Sequence, residues 1–243
     1  MIKLWSYINL IRLNKPIGIF LLLWPTLWAL WLSSNGMPDS RLLWIFILGV
    51  ILTRSLGCAI NDIFDKEIDK GVSRTKNRPL ALGQISIKET LFLIFFLGAL
   101  SFWLVFQLNA YAIKIAFIAL IFIVLYPITK RFLPIPQAFL GVTFGFCILM
   151  SFAVTQNQIP IEAWMLFIAN AFWVLAYDTH YAVVDMTDDK KIKIRSSPLT
   201  FGRQTMKVIL FCYFMTFFIL LAIGVLSDFK INFFIALLVA FFI

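Results

Sequence analysis

The chain has 243 residues, 62% of them hydrophobic and only 14% charged, with a formal net charge of +9 and a mean hydropathy of +0.94. A soluble domain of that length is about half apolar and about a quarter charged, so the composition excludes one and points to an all-α, polytopic membrane protein. The 27 Phe and 8 Trp suit a lipid-facing surface with interfacial anchors.

The N-terminus carries no short apolar core followed by a small-residue cleavage site, so no removable signal peptide is expected. Crossing a hydrocarbon core about 30 Å thick takes about 20 apolar residues. Such runs fall at roughly 17–34, 42–60, 89–107, 111–129, 136–155, 161–177 and 205–226. An eighth starts near Ile231 and reaches the last residue, Ile243, too short to cross. One membrane domain over 1–243 is expected, with seven full spans and a truncated eighth. Cys58, Cys147 and Cys212 each sit inside an apolar run, which argues against a disulfide or a zinc site.

Alternating the loops between the two membrane faces separates the basic residues sharply. One face carries Lys3, Arg12, Lys15, Lys66, Lys70, Arg74, Lys76, Arg78, Lys88, Lys130, Arg131, Lys190, Lys191, Lys193, Arg195, Arg203 and Lys207, 17 in all, and the other only Arg41, Lys114 and Lys230. The positive-inside rule then places the N-terminus and the two longest interior loops in the cytoplasm. Basic residues explained by topology require no nucleic-acid partner.

Those two loops, about 61–88 and 178–204, hold eight of the 12 acidic residues: Asp62, Asp65, Glu67 and Asp69 in NDIFDKEID, and Asp178, Asp185, Asp188 and Asp189 in YDTHYAVVDMTDD. Spacings of three, four and seven put Asp62, Asp65 and Asp69 on one helical face and Asp178, Asp185 and Asp189 on another. Each cluster is followed, ten or nine residues after its last Asp, by a matching segment, Pro79–Gly83 (PLALG) or Pro198–Gly202 (PLTFG). This is an internal repeat in parallel orientation, which predicts two carboxylate clusters facing one cavity. A solvated, salt-bridged loop is the plain alternative. Carboxylates at helical spacing where a span ends, in two copies, favour a site, because ionisable groups at membrane depth are costly.

Carboxylates that repel each other are relieved by a hard divalent cation, and Mg²⁺ is usually held by one or two carboxylates plus substrate phosphates. Lys and Arg take the remaining phosphate oxygens. The ligand that fits is a diphosphate with a lipid tail.

NDIFDKEID with SRTKNRPLALG, and YDTHYAVVDMTDDKKIKIRSSPLTFG, resemble the two signature regions of UbiA-type intramembrane prenyltransferases. RLNKPIGIFLLLWPTLWALWL, LYPITKRFLPIPQAFLG and LFIANAFWVLAYDT resemble the branch acting on 4-hydroxybenzoate in ubiquinone biosynthesis. The likeness runs from about residue 10 to 205. It implies nine helical spans around a central cavity, Mg²⁺ dependence, and transfer of a polyprenyl chain from polyprenyl diphosphate to an aromatic ring in a bacterial (or mitochondrial) inner membrane. It implies that Asn61, Asp62, Asp65, Asp69, Asp185 and Asp189 hold Mg²⁺, Asp65 and Asp185 being essential. Asp178, His180 and Asp188 are expected just outside them. Arg54, inside a span two turns before Asp62, is expected to bind the acceptor's carboxylate. Arg74, Arg78, Lys130, Arg131, Tyr177 and Arg195 are expected to contact substrate; Trp24, Trp28 and Trp173 are candidates to face an allylic cation, lipid or packing contact being the more expected role of each. Two departures stand out. Thr187 replaces an expected acidic residue, and a full eighth span and a ninth, about 45 residues, would lie beyond Ile243. The competing expectations are another acceptor (homogentisate, dihydroxynaphthoate, haem or chlorophyllide), a cation-coupled transporter, and an inactive remnant. Oligomeric state is left open.

Overall fold

A computed structural model describes residues 2–242 as helices joined by short turns. In chain order they are α1 (Ile2–Leu10), α2 (Ile17–Ser33), α3 (Ser40–Phe64), α4 (Lys66–Asp69), α5 (Ile87–Val105), α6 (Ala110–Thr129), α7 (Pro136–Gln156), α8 (Ile161–Ala182), α9 (Met186–Lys191), α10 (Ser197–Phe201), α11 (Thr205–Leu226) and α12 (Ile231–Phe242). Polar side chains cap three of the long helices, α3, α5 and α6, satisfying orphan N–H groups of the first turn. Asp39 accepts from Leu42 N–H at 3.0 Å before α3, and Asn109 from Ala112 N–H at 2.9 Å before α6. Ser86 and Glu89 form a reciprocal capping box at α5.

The expected spans coincide with α2, α3, α5, α6, α7, α8 and α11, and the incomplete eighth with α12. Its expected last residue, Ile243, lies outside the described residues. Six of these helices are long and apolar enough to cross a membrane, while α2 and α12 are shorter. With 17 residues, α2 is about 26 Å long at 1.5 Å per residue, slightly under the hydrocarbon thickness. Sequence periodicity also missed α1, which packs on α3 and the start of α5: Tyr7 donates to Glu89 at 3.2 Å and Lys3 pairs with it at 2.6 Å.

The main core joins α2, α6, α7, α8 and α11 through Ala29, Ala119, Ile148, Leu149, Phe152, Leu166 and Ile223, all buried. Helix α7 is wedged against α2, α6 and α8, and α8 packs on α11. Close approach of α7 to α8 depends on small residues, as membrane bundles commonly do. A Cβ on Gly141 would lie 2.8 Å from the Ala171 carbonyl oxygen, a backbone atom that cannot step aside. The repeated P-L-x-x-G segments end alike: Gly83 and Gly202 have φ of +71° and +52°, left-handed turns that favour glycine and redirect the chain into the next helices.

Gly141→Ala is expected to cost about 1–3 kcal/mol of overpacking, about 2–10 °C in thermal midpoint for a chain of this size. Melting in detergent checks this against Gly98→Ala, where nothing lies within 4 Å of the added carbon. Equal midpoints would show that α7 and α8 are not limited by this contact.

Candidate active site

Helix α3 continues beyond its apolar run, so Asn61 and Asp62 stand on its last turn. At Asp65 the helix stops, and a short new helix, α4, carries Asp69. Asp69 N–H still bonds to the Asp65 carbonyl at 2.7 Å, so helical spacing survives the break. The second cluster is divided in the same way. Asp178 is on α8, Asp185 in a 3₁₀ turn (Val183–Asp185), and Asp189 on α9. The continuous helical faces expected from spacing are therefore interrupted. All six carboxylates, Asp62, Asp65, Asp69, Asp178, Asp185 and Asp189, nevertheless line one cavity of about 900 Å³.

Like charges so close in a partly dehydrated cavity need countercharges. Asp62, 1% exposed, accepts two hydrogen bonds from Arg12 Nη2 at 2.8 and 3.0 Å and one from Arg78 Nη1 at 3.0 Å. The same Arg78 nitrogen reaches Asp69 at 2.8 Å, bridging two carboxylates. Lys130 Nζ binds Asp65 Oδ2 at 2.8 Å, and Asn61 Nδ2 donates to the same oxygen at 3.0 Å. Arg74 crosses between the loops to Asp185 at 2.6–3.0 Å and lies over the Tyr181 ring. Beside it, Ser73 N–H donates to Asp188 at 2.9 Å. Burial pushes the Asp69 carboxyl up from its ordinary range, and the Arg78 charge only partly offsets this. Burial works to lower the Lys130 ammonium's pKa, but the Asp65 charge and Tyr126 outweigh it and hold the pKa above the ordinary lysine value.

Among the described residues, no three His, Cys, Asp or Glu side chains converge as a ready-made metal centre. Cations separate the carboxylates. Buried polar atoms are nonetheless left over at the cavity wall, Asp65 Oδ1 and the Tyr177 hydroxyl among them, with no hydrogen-bond partner among the described residues.

Arg54 differs from the other cations. It lines the cavity, donates through Nε to the Gly18 carbonyl at 3.1 Å and through Nη1 to Cys58 Sγ at 3.3 Å, and meets no carboxylate among the described residues. Phe144 lies 5.8 Å from its Cζ. The cavity wall around it is apolar and aromatic, with Leu22, Ile123, Tyr126, Leu140, Phe144 and Tyr177.

Several expected site residues stand elsewhere. Arg131 is exposed and donates to the Phe64 carbonyl at 3.2 Å, closing the end of α3 and lying outside the cavity wall. His180 is exposed on the far side of α8, so it is not beside the carboxylates. Asp188 is also outside the wall, fastening the loops through Ser73 and Lys191. Arg195 lines the cavity while tying its backbone to Lys130 and its side chain to Phe132. Thr187 is exposed, away from the wall. Trp24, Trp28 and Trp173 do not line the cavity either. Trp28 packs at a tilt against Trp173, with ring centroids 5.6 Å apart, and Trp173 packs edge-on against Tyr177.

Arg12 lines the cavity and pairs with Asp62, although sequence reading counted it only toward topology. It sits in the left-handed region, φ +62°, and donates to the Asn9 carbonyl at 2.7 Å. A non-glycine residue held there costs about 1–3 kcal/mol. The ion pair with Asp62 is what that strain positions. The only sequence signal was a basic residue directly before the first apolar run.

Residues 22–243 match the UbiA prenyltransferase family, and the chain belongs to it. Its members are prenyltransferases by name, and this chain is an integral, multi-pass membrane protein. A curated relative from Thiobacillus denitrificans, 4-hydroxybenzoate octaprenyltransferase, is 53% identical over 94% of this chain and 78% of its own length. Among solved structures, a UbiA homologue from Aeropyrum pernix superposes with a TM-score of 0.80 at 24% identity, covering 91% of this chain and 83% of that one. A UbiA homologue from Archaeoglobus fulgidus, solved bound to GPP and Mg²⁺, gives a TM-score of 0.75 at 18% identity over 96% and 82%.

Arg78→Met strands Asp69 and leaves Asp62 with Arg12 alone, and losing one partner of a buried pair costs about 3 kcal/mol or more. A clear fall in the detergent melting midpoint is expected, with no resolvable fall for Lys191→Met, whose pair with Asp188 is exposed. Equal shifts would show that the cavity pairs carry no special weight.

Proposed function

We propose that this protein transfers a polyprenyl group from polyprenyl diphosphate to 4-hydroxybenzoate, at the ring carbon ortho to the hydroxyl, with Mg²⁺, in ubiquinone biosynthesis. The observation that carries the reading is the meeting of both carboxylate clusters and their cations at one cavity with an apolar, aromatic wall. The relatives named 4-hydroxybenzoate octaprenyltransferase support the acceptor, and the homologue solved with GPP and Mg²⁺ supports the donor and the metal. Acidic residues at helix ends beside Lys and Arg suit a phosphorylated ligand better than a transported ion.

Asp62, Asp65, Asp69, Asp185 and Asp189, with Asn61, are the residues that would hold Mg²⁺, and the unpartnered Asp65 Oδ1 is a free oxygen ligand of the hard type that ion prefers. When bound, the ion neutralises charge on the leaving diphosphate and so eases cleavage of the allylic carbon–oxygen bond. Lys130, Arg74, Arg78 and Arg12 already face the cavity on carboxylate partners, and they turn to phosphate oxygens as the diphosphate arrives, the arginines bidentately. Lys130, its pKa raised, stays protonated throughout. Tyr126, Phe144 and Tyr177, rather than the tryptophans, present ring faces to the allylic cation. Arg54, without a carboxylate of its own, receives the carboxylate of the aromatic acid. The ring carbon bonds to the allylic carbon as diphosphate departs, and the ring then loses its proton. The mouth faces the cytoplasm of a bacterial cell, because the basic loops flank it.

Asp65→Ala and Asp185→Ala are each expected to abolish prenyl transfer at saturating Mg²⁺, measured as product mass from membranes given polyprenyl diphosphate and a panel of aromatic acids. Near-normal turnover in either would reject the metal role. Chelation by EDTA is expected to stop the wild type and excess Mg²⁺ to restore it; activity that persists in EDTA would contradict metal dependence.

A further inference from the structure

Arg54 is held by neutral partners drawn from three helices. Gly18 of α2 offers its carbonyl, Cys58 of α3 its sulfur, and Phe144 of α7 its ring. Among the described residues Nη2 makes no hydrogen bond and no carboxylate lies within ion-pair distance of the guanidinium, the Asp178 charge acting on it only across the cavity. Lys15 and Arg195 also reach the cavity wall without a carboxylate partner, but they stand in loops; Arg54 is set within α3 among the apolar wall residues, where its direction decides how an anion held there is received. The Gly18 contact is unusually close. A Cβ built on residue 18 would lie 2.9 Å from Nη2, 3.0 Å from Nε and 3.3 Å from Cζ. Distances below 3.0 Å do not persist, so one side has to give. The atoms in the way are the tip of a flexible side chain, whereas the carbon would be fixed to the first turn of α2. Any side chain at position 18 therefore displaces the guanidinium and leaves the helices in place.

We propose that Gly18 is a positioning residue: its bare Cα lets Arg54 seat on the Gly18 carbonyl, and this seat sets the place and angle at which the acceptor's carboxylate is bound. The inference rests on the acceptor role given to Arg54 above. It assigns selection of the acid to a contact between α2 and α3, apart from the carboxylates and cations assigned to the diphosphate.

The test measures KM and kcat for 4-hydroxybenzoate and for polyprenyl diphosphate in the full chain, comparing the wild type with Gly18→Ala, Arg54→Ala, the double variant and Gly49→Ala, where an added carbon meets nothing within 4 Å. Gly18→Ala is expected to raise the acceptor's KM about tenfold, the scale of one misaligned charge-assisted hydrogen bond. The KM for the diphosphate is expected to stay unchanged. In the Arg54→Ala background the same substitution is expected to add nothing. An unchanged acceptor KM in Gly18→Ala, or a double variant clearly worse than Arg54→Ala alone, overturns the inference. If Gly18→Ala lowers the melting midpoint, recovery of that midpoint in the double variant supports the steric coupling, and no recovery overturns it. An Arg54→Ala variant with a normal acceptor KM instead removes the acceptor reading. The seat then stands if Gly18→Ala moves whichever constant Arg54→Ala moves, and falls if it does not.

Discussion

The pairing of buried carboxylates with cations from distant parts of the chain is the constraint on which the rest of this structure depends. Two unit charges 4 Å apart interact by about 4 kcal/mol at the effective dielectric of a protein's outer interior. Six carboxylates around one cavity would therefore drive the ends of α3 and α8 apart. They stay together because Arg12, Arg74, Arg78 and Lys130 are interleaved with them. Each of those cations also fixes a segment that apolar packing does not hold. Arg12 fastens the turn after α1, Arg74 and Arg78 fold the 70–85 loop across the cavity mouth, and Lys130 anchors the end of α6.

This coupling explains which features were legible in the sequence. A bilayer demands long apolar runs, so each expected span coincides with a helix to within a few residues. The ends were harder, because hydropathy falls where the charges begin while helical hydrogen bonding continues. Hence α3 runs on to Phe64 and α8 to Ala182, and these overruns are what carry Asn61, Asp62 and Asp178 to the cavity. The 3₁₀ turn at Val183–Asp185 and the break at Asp65 left no sequence signature. They re-aim the later carboxylates inward without disturbing the spacing of three and four.

Within the site, the carboxylates were legible and their surroundings were not. The repeat announced the first, since each Asp cluster is followed by a proline–leucine segment ending in a left-handed glycine. Rotation of a side chain about its helix has no such marker when every face is apolar. Trp24, Trp28 and Trp173 could therefore be named only as candidates for the wall and lie off it, while Tyr126 and Phe144 line it. Adjacent residues diverge for the same reason: Lys130 reaches Asp65 and Arg131 turns back to the Phe64 carbonyl. Arg12 is 50 residues from its partner and depends on a strained backbone conformation, so neither spacing nor composition reveals it.

Four cations of the cavity are thus paired with carboxylates and Arg54 is not, and the difference has chemical content. Those paired with carboxylates are neutralised at rest, so an arriving diphosphate with its metal gains only by exchange. On the proposed reading the carboxylates would hold the metal and the freed cations the phosphate oxygens, and either half alone would leave like charges facing each other. Arg54 takes no part in that exchange, since its partners are a carbonyl and a sulfur. It offers a full positive charge to a second anion whether or not the first has bound. On the proposed reading, the donor site is therefore assembled by its own ligands, whereas the acceptor site is built in advance by the packing of α2 on α3. That asymmetry suits a cavity that has to hold a diphosphate and a carboxylate together without letting either occupy the other's place.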